Sequence, residues 1–475
     1  MGRGYATSPD SSIERTTRGD ARTGADDGRC ARDWDDGGGR RRTTKGRRAS
    51  DTPSRVPLRS TRARDARART RTHAHTTTTM HTTMTTTAAA GRVGARAAYG
   101  NARAVRARAV GGAARRGRGR RDRSSAIITR AGKTPDGPKL VIAGITGAVG
   151  QEFLRVLSER DFPYSSVKML ASARSAGSEV TFEGETYVVE ELTEDSFDGE
   201  DIALFSAGGS ISKKYGPIAV ERGCFVVDNS SAFRMTEGVP LVIPEVNPEA
   251  MAHMKVGGKA GIIANPNCST IIALMAVTPI HRAVGVERMV VSTYQAASGA
   301  GALAMKELEQ QTREVVNDGE CKTMEIFKWQ YAFNLFSHNA PMMENGYNEE
   351  EMKMVKETRK IWNFNDVNIT ATCIRVPVMR AHAESINLTL KNPLDEVKAK
   401  ELLSKAEGVS IIDDRANNRF PTPLDATDND DVYVGRIRQD ISQPGNKGLD
   451  LFVCGDQIKK GAALNAVQCA ELLLK

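Results

Sequence analysis

The chain has 475 residues, 26% of them charged and 5% aromatic, with a formal net charge of +9. That length leaves room for two or three domains. The charge is uneven: residues 1–136 carry 32 Lys and Arg against 12 Asp and Glu, a local +20, so the remainder is net −11 and the basic character does not belong to the folded part. No stretch reaches the length of a transmembrane helix, and no membrane partner is expected. Six of the seven cysteines lie beyond residue 200 without a C-x-x-C pair. That argues against a zinc site and a disulfide framework, and free thiols suit a reducing compartment. No metal is expected.

Residues 1–136 are dominated by Arg, Thr, Ala and Gly. Such a segment buries too little apolar surface to offset its chain entropy, and we read it as a disordered leader. From Met84 it is rich in Arg, Ala and hydroxyl residues, with Asp122 its only acid up to Ala131, the marks of an organellar transit peptide. Residues 1–83 fit less well, because Asp is frequent between Asp10 and Asp36. One reading starts translation at Met80 or Met84. A competing one is an Arg-rich nucleic-acid-binding arm, disfavoured by the lack of aromatic interleaving. No nucleic-acid partner is assigned.

Order begins after Gly137-Pro138-Lys139 with the apolar run Leu140–Ala143, which reads as a buried parallel strand. A helical pattern follows over Gln151–Leu157. Short apolar runs recur at Val167–Leu170, Ile202–Phe205, Phe225–Val227 and Gly261–Ile263, with a helix-like Ser212–Arg222 among them. Alternation of this kind predicts an α/β, Rossmann-like doubly wound domain over 137–266. Beyond about residue 267 come amphipathic helices (Ala302–Val316, Glu349–Ile361, Leu394–Ala406) and strands (Ile369–Val376, Ser385–Leu390), predicting an α+β catalytic and dimerisation domain over 267–454. A final helical segment, Lys459–Leu474, is placed back on the first domain, which 455–475 would complete.

Between the first strand and first helix stands Gly144-Ile145-Thr146-Gly147-Ala148-Val149-Gly150. Glycines there let the backbone turn and approach a pyrophosphate, and the helix N-terminus supplies free N–H groups. The spacing is G-x-x-G-x-x-G, and a Gly-rich turn without a ligand is the alternative. The second strand runs into Ser172-Ala173-Arg174-Ser175 with no acid to bind ribose hydroxyls. An Arg beside serines suits a 2′-phosphate and favours NADP over NAD, unless Arg174 is merely a solvated surface residue.

Asn265-Pro266-Asn267-Cys268-Ser269-Thr270 precedes the apolar Ile271–Val277. Asn267 could cap that helix and place Cys268 at its N-terminus, where a thiol is expected to have a lowered pKa and backbone N–H groups could hold an oxyanion. An inert buried cysteine is the alternative. Further on lie Gln295 in a Thr-Tyr-Gln-Ala-Ala-Ser-Gly turn, Arg375 in Cys-Ile-Arg-Val-Pro-Val and His382 in Arg-Ala-His-Ala-Glu.

The strings GITGAVG, LASARSAG, VVDNSSAFRM, VPLVIPEVN, NPNCST, STYQAASGAG, EEMKM, CIRVPV and KKGAALNAVQ occur in an order that resembles the aspartate-semialdehyde dehydrogenase family over residues 139–475. The resemblance implies that Cys268 forms an acyl-thioester, His382 acts as acid–base and Gln295 orients the substrate. Arg375 would bind the substrate carboxylate, Glu350 its amino group, and Lys353 and Arg234 phosphate. NADP would contact Thr146 to Val149, Arg174, Ser175, Ser298, Gly299 and Asn465. The implied reaction is reversible reductive dephosphorylation of L-aspartyl 4-phosphate to L-aspartate 4-semialdehyde with release of inorganic phosphate, in lysine, threonine and methionine biosynthesis. A homodimer or dimer of dimers is implied, and with the leader a chloroplast stromal location.

The chain departs from the family pattern at Ser178, where many relatives carry Lys, and at Ala381, where Gly or Ser is more usual; little consequence is expected of the second. Glu349 and Glu351 flank Glu350, so the assignment could slip by one. Two rival readings are N-acetyl-glutamyl-phosphate reductase, whose acylated substrate amine would leave Glu350 without a cation, and a catalytically dead homologue serving as a scaffold.

Overall fold

The computed structural model describes residues 133–475. The expected leader and transit peptide therefore lie, up to residue 132, outside the described residues. The first sheet is wholly parallel. It is built from β1 (Lys139–Ala143), β2 (Ser166–Ala171), β5 (Glu190–Glu191), β6 (Ile202–Phe205), β7 (Phe225–Asp228) and β8 (Ile262–Ala264), in the order β5-β2-β1-β6-β7-β8. A hairpin of β3 (Glu179–Phe182) and β4 (Glu185–Val188) branches from it. Because successive side chains alternate faces, Leu140 and Ile142 face one layer while Val141 and Ala143 face the other. α1 (Ala148–Glu159) and α8 (Leu464–Leu472) pack on the first face through Phe153, Leu157, Leu464 and Val467. α2 (Gly209–Glu221) covers the second. Both faces are buried, which is why these strands read as unbroken apolar runs. The doubly wound reading is met.

The second sheet is mixed and seven-stranded, in the order β10-β11-β9-β12-β15-β14-β13. Its strands are β9 (Val286–Gln295), β10 (Phe336–Ser337), β11 (Asn368–Arg375), β12 (His382–Leu390), β13 (Val409–Ile411), β14 (Val432–Gln439) and β15 (Gly448–Gly455). α3 (Cys268–Val284), α5 (Glu349–Trp362) and α6 (Glu396–Ser404) close one face over a core of Ile272, Val291, Met354, Ile386 and Val453. α4 (Ala302–Asp318) and the short α7 (Pro423–Ala426) complete the chain. Register carries the functional geometry: Arg375 pairs with Gln295 across β11 and β9, and His382 pairs with Gly455 across β12 and β15. Arg375, Gln295 and His382 are thus brought to one end of the sheet.

Glu384 lies on β12 two residues beyond His382, fully buried, with neither carboxylate oxygen hydrogen-bonded. Burial pushes its pKa well above the ordinary carboxylate value. Because the folded pKa is raised, the fold binds a proton that the unfolded chain releases, and stability falls as pH rises through the unfolded pKa of about 4.3. Glu384→Gln keeps the shape and removes that cost. Its melting temperature should match or exceed that of the unmodified chain at pH 8 by more than at pH 5, as read by calorimetry.

Candidate active site

The nucleophile candidate is placed by a cap. Asn267 accepts hydrogen bonds from Ser269 N (3.1 Å) and Thr270 N (3.4 Å), so α3 begins at Cys268. Cys268 is partly buried on the wall of a cavity of about 370 Å³, shared with Gln295, Arg375, Glu350, Lys353 and Arg234.

Of the three consecutive glutamates, Glu350 is the one that turns into this cavity. Its Oε1 accepts from Asn267 Nδ2 (2.9 Å) and Gln295 Nε2 (3.1 Å), and its Oε2 from Lys353 Nζ (2.9 Å). Glu349 is exposed, while Glu351 is spent on the start of α5, accepting from Asn348 N, and on Cys373 N. Burial works against the Glu350 charge, but Lys353 and His338 outweigh it and hold the carboxyl well below its ordinary range. Arg234 is 7% exposed and fixed by Asn265 O, Asn229 O and Glu357. Arg375 donates to Ala296 O (3.0 Å).

Gln295 ends β9 instead of lying in a turn, and its amide is oriented from both sides. Its Oε1 accepts from Thr293 Oγ1 (3.0 Å) while its Nε2 serves Glu350. His382 begins β12 and is fully buried, behind the cavity wall at Gly299: a Cβ on Gly299 would sit 3.1 Å from both Arg375 Nη1 and His382 Cε1. Ala296 N donates to His382 Nδ1 (3.0 Å), so the neutral ring carries its proton on Nε2, 3.5 Å from Gln295 Nε2. Burial and Arg375 lower its pKa well below the ordinary value.

Two sequence expectations need correction, those on Cys268 and Ala381. The thiol of Cys268 is not lowered: burial, reinforced by Glu350, pushes it up to about 12, against the opposing pull of Arg234, Arg375 and Lys353. Asn465 does not line the cavity. Its amide is used by Val242 O (2.9 Å) and Asn265 Oδ1 (2.6 Å), so it supports the wall from behind. Ala381 is not an innocent departure, because its φ of +70° lies in the left-handed region. A side chain there costs roughly 1–2 kcal/mol relative to glycine.

A second cleft, of about 410 Å³, lies at the C-terminal edge of the first sheet and is lined by Gly144, Thr146, Gly147, Ser172, Ala173, Glu191 and Ser206. Ser206 lines the catalytic cavity as well, as do Val149, Ser298 and Gly299. The residues suit a dinucleotide. α1 starts at Ala148 behind Gly147 with no side-chain cap, leaving its first amides open to an anion. A Cβ on Gly150 would fall 2.3 Å from Gly144 O, so only glycine lets α1 pack this closely on the turn. Arg174 is exposed and Ser175 half-buried in the turn after β2. The cleft is not free of acid, however. β5 runs beside the end of β2, pairing Glu191 with Ala171, and brings in a carboxylate that the linear sequence places twenty residues away.

Sequence reasoning also missed Gln457, Asn229 and Ser206 as lining residues. Gln457 accepts from Ala381 N (2.8 Å) and donates to Ser298 Oγ, tying the approach to His382 to the wall of the cavity. Its only sequence signal is a polar Gly-Asp-Gln step after an apolar strand.

Comparisons with known proteins agree with this layout. The family described as semialdehyde dehydrogenase, NAD binding domain, matches residues 139–254, and semialdehyde dehydrogenase, dimerisation domain, matches 277–460. The aspartate-semialdehyde dehydrogenase of Synechocystis is 52% identical over 341 residues, 72% of this chain and 98% of that protein. That of Prochlorococcus marinus is 51% identical over 341 residues, 72% and 97%. The crystal structure of aspartate semialdehyde dehydrogenase II complexed with ASA from Vibrio cholerae superposes with a TM-score of 0.67 at 45% identity, covering 71% of this chain and 98% of that one. The described residues thus combine a nicotinamide-nucleotide fold with a capped cysteine in a charge-lined cavity, and the chain belongs to the aspartate-semialdehyde dehydrogenase family.

Proposed function

We propose that the chain catalyses the NADP-dependent, reversible conversion of L-aspartyl 4-phosphate to L-aspartate 4-semialdehyde and phosphate, as a homodimer in the plastid stroma. The charge map around Cys268 carries the reading. Arg234 and Lys353 form a site for a phosphoryl group, Arg375 one for a carboxylate and Glu350 one for an ammonium group, all on one cavity. A substrate with an acylated amine would offer Glu350 no ammonium group and leave Lys353 as its one cationic partner, so that Lys353 would be less free to hold phosphate, which disfavours N-acetyl-glutamyl phosphate.

In the reductive direction Cys268 Sγ attacks the acyl-phosphate carbonyl. The C–S bond forms, the C–O bond to phosphate breaks, and phosphate leaves toward Arg234 and Lys353. The thiol must first lose its proton. Pairing Glu350 with the substrate ammonium group removes the charge that most opposes the thiolate, leaving the cations and the α3 N-terminus to favour it. A dinucleotide held at the Gly144–Gly147 turn would supply the hydride for the carbonyl carbon of the thioester; the C–S bond then breaks, freeing the semialdehyde and returning the Cys268 thiolate. His382 presents Nε2–H as a hydrogen-bond donor; proton transfer at Nε2, in either direction, runs between the cationic ring and its Nδ1–H tautomer, and both require Nδ1 to give up its bond from Ala296.

NADP in particular is supported by Arg174 and Ser175 at the end of β2. Arg174→Ala removes a charge-assisted hydrogen bond of roughly 1.5–3 kcal/mol. The Michaelis constant for NADP should rise about tenfold to a hundredfold, while weak use of NAD stays nearly unchanged. Equal losses with both cofactors would assign Arg174 a structural role and leave Glu191 to set the preference.

A homodimer is supported by exposed apolar side chains about α4 and the segment after it, Leu303, Trp329, Phe333 and Leu335, each at least 60% exposed. Plastid import is supported by the basic, hydroxylated, nearly acid-free run from Met84. Residues 84–136 fused to a fluorescent protein should carry it into plastids. Cytosolic fluorescence would remove the targeting reading, and nuclear fluorescence would restore the nucleic-acid arm.

A further inference from the structure

Between β15 and α8 the chain makes a single π-turn, Lys459–Ala463. Gly461 N donates to Asp456 O and Ala463 N to Ile458 O, both at 2.9 Å and both spanning five residues. A π-turn holds one residue more than a turn of α-helix and is common at functional sites. Here position 461, the middle of the turn, lies against the nucleophile. A Cβ on Gly461 would lie 2.9 Å from Cys268 Cβ, 3.3 Å from Cys268 Cα and 3.3 Å from Gln457 Cβ. None of these atoms is the loose end of a long side chain, so none can step aside without moving backbone.

The turn is also held from retreating. Asp456, fully buried, accepts from Ile458 N (2.9 Å) and Lys459 N (3.0 Å) through Oδ1, and from Arg380 Nε (2.6 Å) and Asp428 N (2.7 Å) through Oδ2. Lys459 pairs with Glu159 and Asp430, each at 2.7 Å. Lys460, 1% exposed, bonds Glu245 (2.6 Å), Gln468 (2.8 Å) and Asn465 (3.1 Å). These bonds tie the turn to α1, α8 and the loop after α7. Stiffness of this kind would be wasted on a linker.

We propose that the π-turn is a positioning element for the nucleophile, in which the bare backbone of Gly461, packed on Cys268 Cβ, fixes the direction in which Sγ points. Gly461 is then a positioning residue, and the C-terminal strap sets the reacting sulfur from behind while Asn267 sets the helix from in front. The proposal rests on Cys268 being the nucleophile. A displacement of the reacting atom by about 1 Å can cost on the order of a hundredfold in rate, and a methyl group at 461 imposes a shift of that kind.

The test uses the full chain with Gly461→Ala, and Ala466→Gly as a control. Ala466 is buried on α8 in the apolar core of the first sheet and is not among the residues that line the cavity. Turnover, the Michaelis constants, the melting temperature and the rate of Cys268 alkylation by iodoacetamide are measured for each. Gly461→Ala should lower turnover by at least about tenfold and slow Cys268 alkylation severalfold, with little change in the Michaelis constant for aspartate semialdehyde. Ala466→Gly should lower the melting temperature and leave turnover and alkylation as they were. If Gly461→Ala does not fold, Asp456→Asn, which keeps the volume but loosens the turn, carries the same expectation. Unchanged turnover and alkylation in the folded variant would overturn the proposal, as would an equal loss in Ala466→Gly. Full turnover in Cys268→Ala would instead overturn the functional reading on which it rests.

Discussion

Cys268→Ala is expected to abolish turnover and to leave no acyl-enzyme detectable by intact-protein mass spectrometry. The expectation is strong because the proposed route passes through a bond to Sγ, and the described residues place no second thiol in the cavity. The other described cysteines lie elsewhere: Cys224, Cys373, Cys454 and Cys469 are buried in cores and strands, and Cys321 lies in the segment after α4. Covalent catalysis divides one hard step into two, and removal of the nucleophile returns the whole barrier. Cys268→Ser keeps the shape but offers a hydroxyl that ionises far less readily, in a site where burial already pushes the thiol up to about 12. It should be nearly as inactive. Substantial turnover in Cys268→Ala would end the covalent mechanism outright.

His382→Asn is expected to separate binding from chemistry. The charged groups that hold the substrate, Arg375, Glu350, Arg234 and Lys353, are fixed by partners other than His382. The Michaelis constant should therefore change modestly. Asparagine can still meet Ala296 N from the place of Nδ1, but it carries nothing at the place of Nε2. Loss of a positioned acid or base typically costs about 10²–10⁴-fold, and turnover should fall within that range. An unimpaired variant would move proton handling to another group, and a large rise in the Michaelis constant would show that His382 instead holds the substrate pocket in shape.

The parts of the fold that were legible in sequence share one physical cause. β1, β6 and β7 are buried on both faces, so Leu140–Ala143, Ile202–Phe205 and Phe225–Val227 stand out as apolar runs and announce a parallel sheet. The β3–β4 hairpin was not legible, because Glu179–Val188 is half exposed and polar and carries no run. β12 was read as beginning at Ser385, since His382 and Glu384 look like surface residues; both are fully buried, and the strand starts three residues earlier.

The site divides in the same way. Asn267 announces its cap locally, so the placement of Cys268 at a helix start was readable. The thiol's raised pKa was not, because it comes from burial and from Glu350, 82 residues away in sequence. Glu191 reaches the nucleotide cleft only because β5 lies beside β2. Gly461 and Gln457 meet the site only after the chain has crossed the whole second sheet. Contacts of that range leave no local pattern, and the consequence of Ala381 depends on a backbone angle that composition does not reveal.

The central claim is tested most directly by incubating the purified full chain with L-aspartate 4-semialdehyde, NADP and inorganic phosphate and following NADPH formation. Reduction of NADP that requires both the aldehyde and phosphate, with aspartyl phosphate as the trapped product, is the predicted result. Absence of reduction with all three present, or reduction that proceeds equally well without phosphate, would contradict it.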